Sequence, residues 1–172
     1  LPEGVTEIGN SAFSGCSALE TITLPEGVTK IANSTFEYCS ELTSITLPEG
    51  VTEIGNNAFS GCRALKSITI PAGVTEIANS TFKDCGNLTS ITLPEGVKKI
   101  GDDAFNNSGL QSIMLPEGVT KIGTSAFMDC HELTSITIPK GVKEISEYAF
   151  YDCWRMTSVT ILDGVKKISD YA

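Results

Sequence analysis

Hydrophobic and polar positions recur along the whole chain at one fixed interval. The segment "LPEGVTEIGNSAFSGCSALETIT", residues 1–23, returns nearly unchanged from Leu24 onwards. Aligned on the step before proline, the repeats start at Leu1, Leu24, Leu47, Ile70, Leu93, Leu115, Ile138 and Ile161. The interval is 23 residues except from Leu93 to Leu115, where it is 22. A period of this length predicts a solenoid whose repeats stack and share one core.

Within one repeat the pattern predicts two short strands and one turn of helix. Residues 19–25, "LETITLP", alternate so that the leucines and isoleucine face inward, and Pro25 ends the strand because it has no N–H. "VTKI", residues 28–31, is a second extended piece. Gly27 belongs to a column of glycines, which predicts a turn with positive φ. Asn33 and its equivalents are good N-caps for a helical turn before each phenylalanine.

The same residue types recur at each position because each side chain is expected to lie on its own copy one coil away. Phenylalanine recurs at 13, 36, 59, 82, 105, 127 and 150, and cysteine recurs at 16, 39, 62, 85, 130 and 153. The cysteines form no Cys-x-x-Cys pair and have no histidine cluster beside them, so their spacing does not indicate zinc. In-register side chains point the same way, which predicts a ladder of buried free thiols instead of disulfides.

Composition narrows the classes of partner. The chain has 172 residues, a net charge of −9 and a sequence pI of about 4.5. This acidic balance argues against nucleic acid and against an anionic membrane surface. No apolar run approaches the roughly 18 residues that membrane insertion needs. No paired acid and base, phosphate loop or metal cluster is evident, and the single histidine, His131, is expected at the surface; we therefore expect no enzyme and no cofactor.

The repeat "LETITLPEGVTKIANSTFEYC" resembles the leucine-rich repeats of the BspA-like family, and the resemblance extends over essentially all 172 residues. It implies an α/β solenoid: a right-handed superhelix of parallel strands, with short helical or extended segments on the convex side. It also implies an extracellular or cell-surface protein of host-associated bacteria or mucosal protozoa. Residues 1–172 are expected to form one domain of seven full repeats and a partial eighth. Because the pattern begins and stops within a motif, we expect a piece of a longer array.

Outward-facing strand positions form two columns of hydroxyl side chains, interrupted once by Met114. Together with late-clustered aromatic residues they make the candidate ligand surface: Thr21, Thr23, Ser44, Thr46, Ser67, Thr69, Ser90, Thr92, Ser112, Ser135, Thr137, Tyr148, Tyr151 and Trp154. Exposed tyrosine and tryptophan are enriched where binding energy concentrates. The aromatic residues can equally serve to pack against further repeats, and the hydroxyls can equally reflect strand propensity.

Two charged columns accompany the hydroxyls. The first is an acidic rim after the proline, formed by Glu3, Glu26, Glu49, Glu95 and Glu117 and broken by Ala72 and Lys140. It is expected either to be a solvated edge or to attract a basic partner. The second column alternates in sign, for example Lys30 beside Glu53, and is expected to favour correct stacking register.

These patterns favour an extracellular adhesion or ligand-binding module that binds a host protein or glycan over an extended surface. The first alternative is a structural spacer without a ligand of its own. The second is an ice-binding face, because Thr-x-Thr or Ser-x-Thr motifs repeat regularly along the strands. Repeats without caps also predict end-to-end self-association, since bare ends expose core and strand edge.

Overall fold

The computed structural model describes residues 1–172 as short parallel strands joined by turns, with no helix. The strands are β1 Thr21–Thr23, β2 Lys30–Ile31, β3 Ser44–Thr46, β4 Glu53–Ile54, β5 Ser67–Thr69, β6 Glu76–Ile77, β7 Ser90–Thr92, β8 Lys99–Ile100, β9 Lys121–Ile122, β10 Ser135–Ile138, β11 Glu144–Ile145, β12 Ser158–Ile161 and β13 Lys167–Ile168. Each predicted pair of extended pieces is therefore present in most repeats.

The strands pair from coil to coil in parallel, always with the equivalent residues of the next repeat. Thr21 pairs with Ser44 between β1 and β3, and Lys30 pairs with Glu53 between β2 and β4. The longest sheet runs β13-β11-β9-β8-β6, while β1-β3, β5-β7, β10-β12 and β2-β4 are two-stranded. The predicted stacking of 23-residue coils into a parallel solenoid is confirmed; its handedness stays a prediction.

Columns of identical apolar side chains fill the interior. Successive phenylalanine rings, from Phe13 to Phe150, stack with centroids 5.3 to 5.6 Å apart and planes within 12° of parallel. Valine, isoleucine, leucine and cysteine columns join them in one cluster of 40 buried residues. One coil alone has too little core to offset the entropy of ordering it, so burial between coils must hold the stack together.

The predicted helical segments are wrong, and the α/β class with them. Around Phe13, alternate N–H groups serve different partners: Ala12 donates to Gly9 O within its coil, whereas Ser11 and Phe13 donate to the next coil. An α-helix needs consecutive φ near −63° and i to i−4 bonds. Ser11 instead has φ 57°, and its equivalents in every later repeat are also positive. The segment thus forms stacked turns that bond to neighbouring coils.

The asparagines predicted as N-caps form bonds between coils instead. Each side-chain Oδ1 accepts the backbone N–H of the equivalent residue in the next repeat, at 2.8 to 3.1 Å. We call this set the asparagine ladder; its acceptors are Asn10, Asn33, Asn56, Asn79 and Asp102. In a β-sheet these backbone N–H groups would donate to carbonyl oxygens, whereas here they donate to side-chain oxygens.

The predicted positive φ does not account for the glycine column after the proline. Of its members only Gly164 has positive φ, at 144°. An added Cβ at Gly73 would lie 2.9 Å from Thr52 Cγ2, and at Gly141 it would lie 2.5 Å from the carbonyl oxygen of Val119. Close approach of the preceding coil therefore requires glycine at these two positions.

Candidate ligand-binding surface

The candidate hydroxyl residues lie on one exposed face of the first stack of strands. We call this the strand face; its hydroxyls in strands are Thr21, Thr23, Ser44, Thr46, Ser67, Thr69, Ser90, Thr92, Ser135 and Thr137, and all are exposed. Between them Ile45 and Ile68 point inward with 8% and 4% exposure. Period-two alternation thus places both hydroxyl columns on the same side of the sheet.

The strand face is interrupted at the fifth repeat. Ser112 is exposed, as predicted for the surface, but residues 110–114 form no strand. Met114, which replaces the threonine of other repeats, is 86% exposed. Ile113 nevertheless stays buried at 8%. The threonine column is therefore interrupted by one methionine, while the exposed Ser112 continues the other hydroxyl column outside a strand.

A shallow groove separates the strand face from the acidic rim. Two adjoining recesses of about 290 Å³ each are bounded by hydroxyls on one side and by Glu26 or Glu49 on the other. A third, of about 380 Å³, lies between Thr92 and Met114 on one side and Glu95 and Glu117 on the other. We call these together the glutamate groove. The first two recesses lie one coil apart and the third lies two coils further along, because the walls are columns of the repeat.

The charged side chains divide into paired and unpaired columns. Lys30 lies 2.6 Å from Glu53, Lys99 lies 3.3 Å from Glu76, and Lys167 lies 2.6 Å from Glu144. The remaining ion pairs of the molecule are Lys83–Asp103 and Arg155–Glu132, so none includes a carboxylate of the acidic rim. Six of the eight members of the column of alternating sign are thus paired, all except Glu7 and Lys121, while the rim presents free carboxylates.

The aromatic candidates lie apart from the strand face. Tyr148 stacks on Tyr171 at 5.0 Å, and Tyr151 meets both rings edge-on. Trp154 is 73% exposed and leans on His131 with centroids 4.2 Å apart. Trp154 shares an open recess with Ser112, the only candidate hydroxyl beside it. The structure therefore yields a tyrosine cluster and a tryptophan recess in addition to the strand face.

The buried thiols are held in the protonated form, which is a poor nucleophile. Each buried cysteine donates to the carbonyl of a phenylalanine in the previous coil, as Cys62 does to Phe36 O at 3.1 Å. Burial, together with a smaller contribution from the neighbouring thiol of Cys39, raises the pKa of Cys62 to about 12. All six cysteines are free; Cys16 is exposed and Cys153 half-buried, while the four between them are buried as predicted.

The single histidine does not belong to an arrangement typical of a catalytic or metal-binding site. His131 donates from Nδ1 to the backbone carbonyl of Asp152 at 2.9 Å, and its ring lies against Trp154 at an interplanar angle of 34°. The neighbouring Cys130 is buried, and its thiol bonds to Phe105 O at 3.0 Å. No group of three or more histidine, cysteine or carboxylate side chains is placed to hold a metal ion. None of the structure's elements has the helical length and apolar character that crossing a bilayer requires.

Sequence reasoning treated the hydroxyl columns and the acidic rim as separate features. The structure shows that they are the two walls of one groove, because the turn after each proline places the glutamate beside the strand. In that turn Val28 N–H donates to Pro25 O at 3.1 Å, and the equivalent bond recurs in the following repeats up to Val142. The signal available in the sequence was the constant separation of three residues between Thr23 and Glu26, or between Thr46 and Glu49.

Parallel strands in register, 23-residue coils and a continuous apolar interior define a leucine-rich-repeat solenoid. The chain matches the family model described as "BspA type Leucine rich repeat region (6 copies)" over residues 1–109 and 52–172. The chain belongs to this family of bacterial surface proteins, a non-catalytic repeat family whose members are typically protein-interaction modules.

Solved structures agree with this assignment. The T. pallidum leucine-rich repeat protein TpLRR is 31% identical, covers 93% of this chain and 76% of its own, and superposes with a TM-score of 0.83. A leucine-rich repeat protein of Bacteroides ovatus is 29% identical over 100% of this chain, which spans 62% of that protein, with a TM-score of 0.55. The pneumococcal vaccine antigen PcpA, at 21% identity over 87% of this chain and 32% of its own, shares the fold with a TM-score of 0.55. No curated protein matches the sequence.

Proposed function

We propose that this chain is an extracellular adhesion module that binds a protein ligand of the host through the strand face. The observation that carries the proposal is the in-register exposure of two hydroxyl columns on one side of the strand pairs β1-β3, β5-β7 and β10-β12. Hydroxyls donate and accept hydrogen bonds without a desolvated charge, which suits an extended polar interface. Membership in a family of surface interaction modules supports the same reading.

The experiment measures binding of the purified chain to immobilised host matrix proteins and mucins by biolayer interferometry. Replacing both Thr46 and Thr69 with lysine should abolish binding, because two long charged side chains would then project from the strand face. Thr75→Lys is the matched control: Thr75 is exposed off the strand face, and its column already contains Lys98 and Lys143. Equal loss in both variants contradicts the proposal.

Four other outcomes would indicate another site or another function. If the Thr46→Lys/Thr69→Lys variant still binds every ligand, the binding site lies away from the strand face. Binding to mucin glycans released from their protein would indicate a glycan ligand. If the chain binds no host component at micromolar concentration, and the lysine substitutions leave the phenotype of the cell surface unchanged, the spacer function is favoured. Thermal hysteresis of the unmodified chain would indicate ice binding instead.

End-to-end self-association stays a prediction. The last coil exposes apolar side chains at its edge, among them Val159, Ile161 and Ile168, at 43%, 42% and 62%. An edge strand with exposed apolar residues is a template for pairing with another chain. Sedimentation of the chain should show association that decreases when Val159 and Ile161 are replaced by lysine.

A further inference from the structure

We infer that the partner segment is an extended polypeptide rich in lysine or arginine, lying along the glutamate groove. The inference rests on the proposed function and names the chemical class of its ligand. It begins from geometry: the recesses beside Glu26 and Glu49 share Ser44 and Thr46 as a common wall and therefore form one trough across neighbouring coils.

The two walls of the trough differ in chemistry. The sheet wall presents hydroxyls, such as Thr46 and Thr69, above inward isoleucines. The opposite wall presents exposed carboxylates that belong to none of the molecule's ion pairs. Successive carboxylates on adjacent coils repel one another. A ligand that brings cations between them relieves this repulsion, whereas an anionic or purely apolar segment does not.

The spacing suits an extended chain that runs along the solenoid. Equivalent residues of adjacent coils are about 4.8 Å apart where strands pair, and alternate residues of an extended peptide are about 6.7 Å apart. Long, flexible lysine or arginine side chains on alternate residues can reach carboxylates on successive coils across this mismatch. The intervening residues and the peptide backbone then face the hydroxyl wall, where N–H and C=O groups find partners.

The rim also limits where the segment binds. Glu3, Glu26 and Glu49 occupy three successive repeats, while Ala72 and Lys140 remove or reverse the charge further along. The strongest cation attraction therefore lies at the repeats that contain β1 and β3. A net charge of −9 also steers cationic partners towards the molecule and makes association sensitive to salt.

The test uses fluorescence anisotropy of two labelled twelve-residue probe peptides, one alternating lysine with serine and one alternating glutamate with serine. The full chain should bind the lysine probe, weaken as NaCl rises, and fail to bind the glutamate probe. E26Q/E49Q should weaken binding about fivefold, because it removes two exposed charge pairs, each of which contributes modestly to affinity. E41Q/E147Q is the matched control: it removes the same charge at two exposed sites outside the groove, and it should stay within about twofold.

Equal weakening in both double variants would overturn the inference, because attraction would then depend on net charge alone. Absence of lysine-probe binding would overturn it as well. The proposed function is judged separately, by the host ligand identified on the strand face: if Thr46→Lys/Thr69→Lys abolishes that ligand's binding but E26Q/E49Q leaves it unchanged, the adhesion proposal stands and the cationic-segment inference fails. Binding of neutral or cationic glycan oligomers in place of the lysine probe would also contradict it.

Discussion

The third and fifth repeats are built from the same columns but differ in their backbone. In the third repeat, Leu47–Thr69, both strands form, and Cys62 completes its column. The fifth, Leu93–Met114, is one residue shorter, has Ser108 in the cysteine column, and forms only β8. Its interior is nevertheless intact: Phe105 and Leu110 are fully buried. The stack therefore tolerates loss of a strand more readily than loss of a core side chain.

Ser108 shows how the interior adapts to the change. Its hydroxyl lies 3.3 Å from Cys130 Sγ, whose own thiol donates to Phe105 O at 3.0 Å. Since Cys130 has committed its proton to the carbonyl, Ser108 donates to the sulfur. The buried hydroxyl is satisfied, as buried polar groups generally must be. A cysteine-to-serine exchange therefore preserves hydrogen bonding between coils while altering its direction.

The strongest test of the comparison replaces one phenylalanine in a 23-residue repeat and one in the shortened fifth repeat. Phe82 and Phe105 are both fully buried, and their rings lie 5.6 Å apart in the same stack. We expect Phe82→Ala and Phe105→Ala each to lower the free energy of unfolding by about 3–5 kcal/mol, because each leaves a ring-sized cavity. Urea unfolding followed by circular dichroism measures both.

The two losses should agree to within about 2 kcal/mol, given the spread expected for similar cavities. A much smaller loss at Phe105 would show that strand pairing, and not the apolar columns, holds neighbouring coils together. Phe13→Ala serves as a control, since Phe13 is only half-buried in the first coil and should cost less.

Periodicity was sufficient to predict the solenoid, the buried columns and the strand positions. Those features depend on side-chain class at fixed spacing, which the sequence prints directly: Phe36, Phe59 and Phe82 align in the sequence as they do in space. The paired charges of Lys30 and Glu53 were predictable for the same reason.

The turn conformations were not predictable because local and inter-coil interactions compete there. Asn33 before "STF" is a good N-cap by composition, yet its Oδ1 accepts Asn56 N–H of the next coil. Ser34 has φ 55°, although no glycine at this position indicates a turn with positive φ. The groove was missed for a related reason: its two walls become neighbours only when the turn from Pro25 to Val28 closes.

A graft separates chain length from side-chain identity in the fifth repeat. Replacing Ser108–Leu110 by the four residues of Cys85–Leu88 restores the period and the thiol. We expect a strand at residues 112–114 of the original numbering that pairs with β7 and β10. The few added backbone hydrogen bonds should raise the free energy of unfolding by about 1–3 kcal/mol. Slower amide exchange at Ser90–Thr92 measures the new pairing. Ser108→Cys alone is the control and should leave exchange there unchanged; faster exchange in the graft would contradict the expectation.

The thiol column predicts a specific alkaline weakness that Ser108 does not share. Cys62 titrates at about 12 in the fold against 9.0 for a free thiol. Below pH 9 both states keep the proton; above it the unfolded chain ionises while the folded thiol does not. Stability must therefore fall as pH rises from 9 to 12, by about 1.4 kcal/mol per unit for one such thiol.

Cys62→Ser is the direct comparison, since serine already stands in this column at the fifth repeat. Urea unfolding at pH 8 and pH 10 should show a smaller alkaline loss in the variant by about 1.4 kcal/mol. Tyrosines and lysines titrate in both proteins, so their contribution cancels in the difference. Identical losses would show that Cys62 is already ionised or solvated in the folded chain.

The asparagine ladder gives the smallest expected effect and the clearest internal control. Asn56→Ala removes the acceptor for Asn79 N–H, at 3.0 Å, and should cost about 1 kcal/mol in urea unfolding, the net value of one such bond. Thr124 stands in the same column, but its side chain accepts no N–H from the following coil. Thr124→Ala should therefore change stability far less than Asn56→Ala. Equal effects would mean that this column stabilises the turns through local conformation and that its bonds between coils contribute nothing measurable.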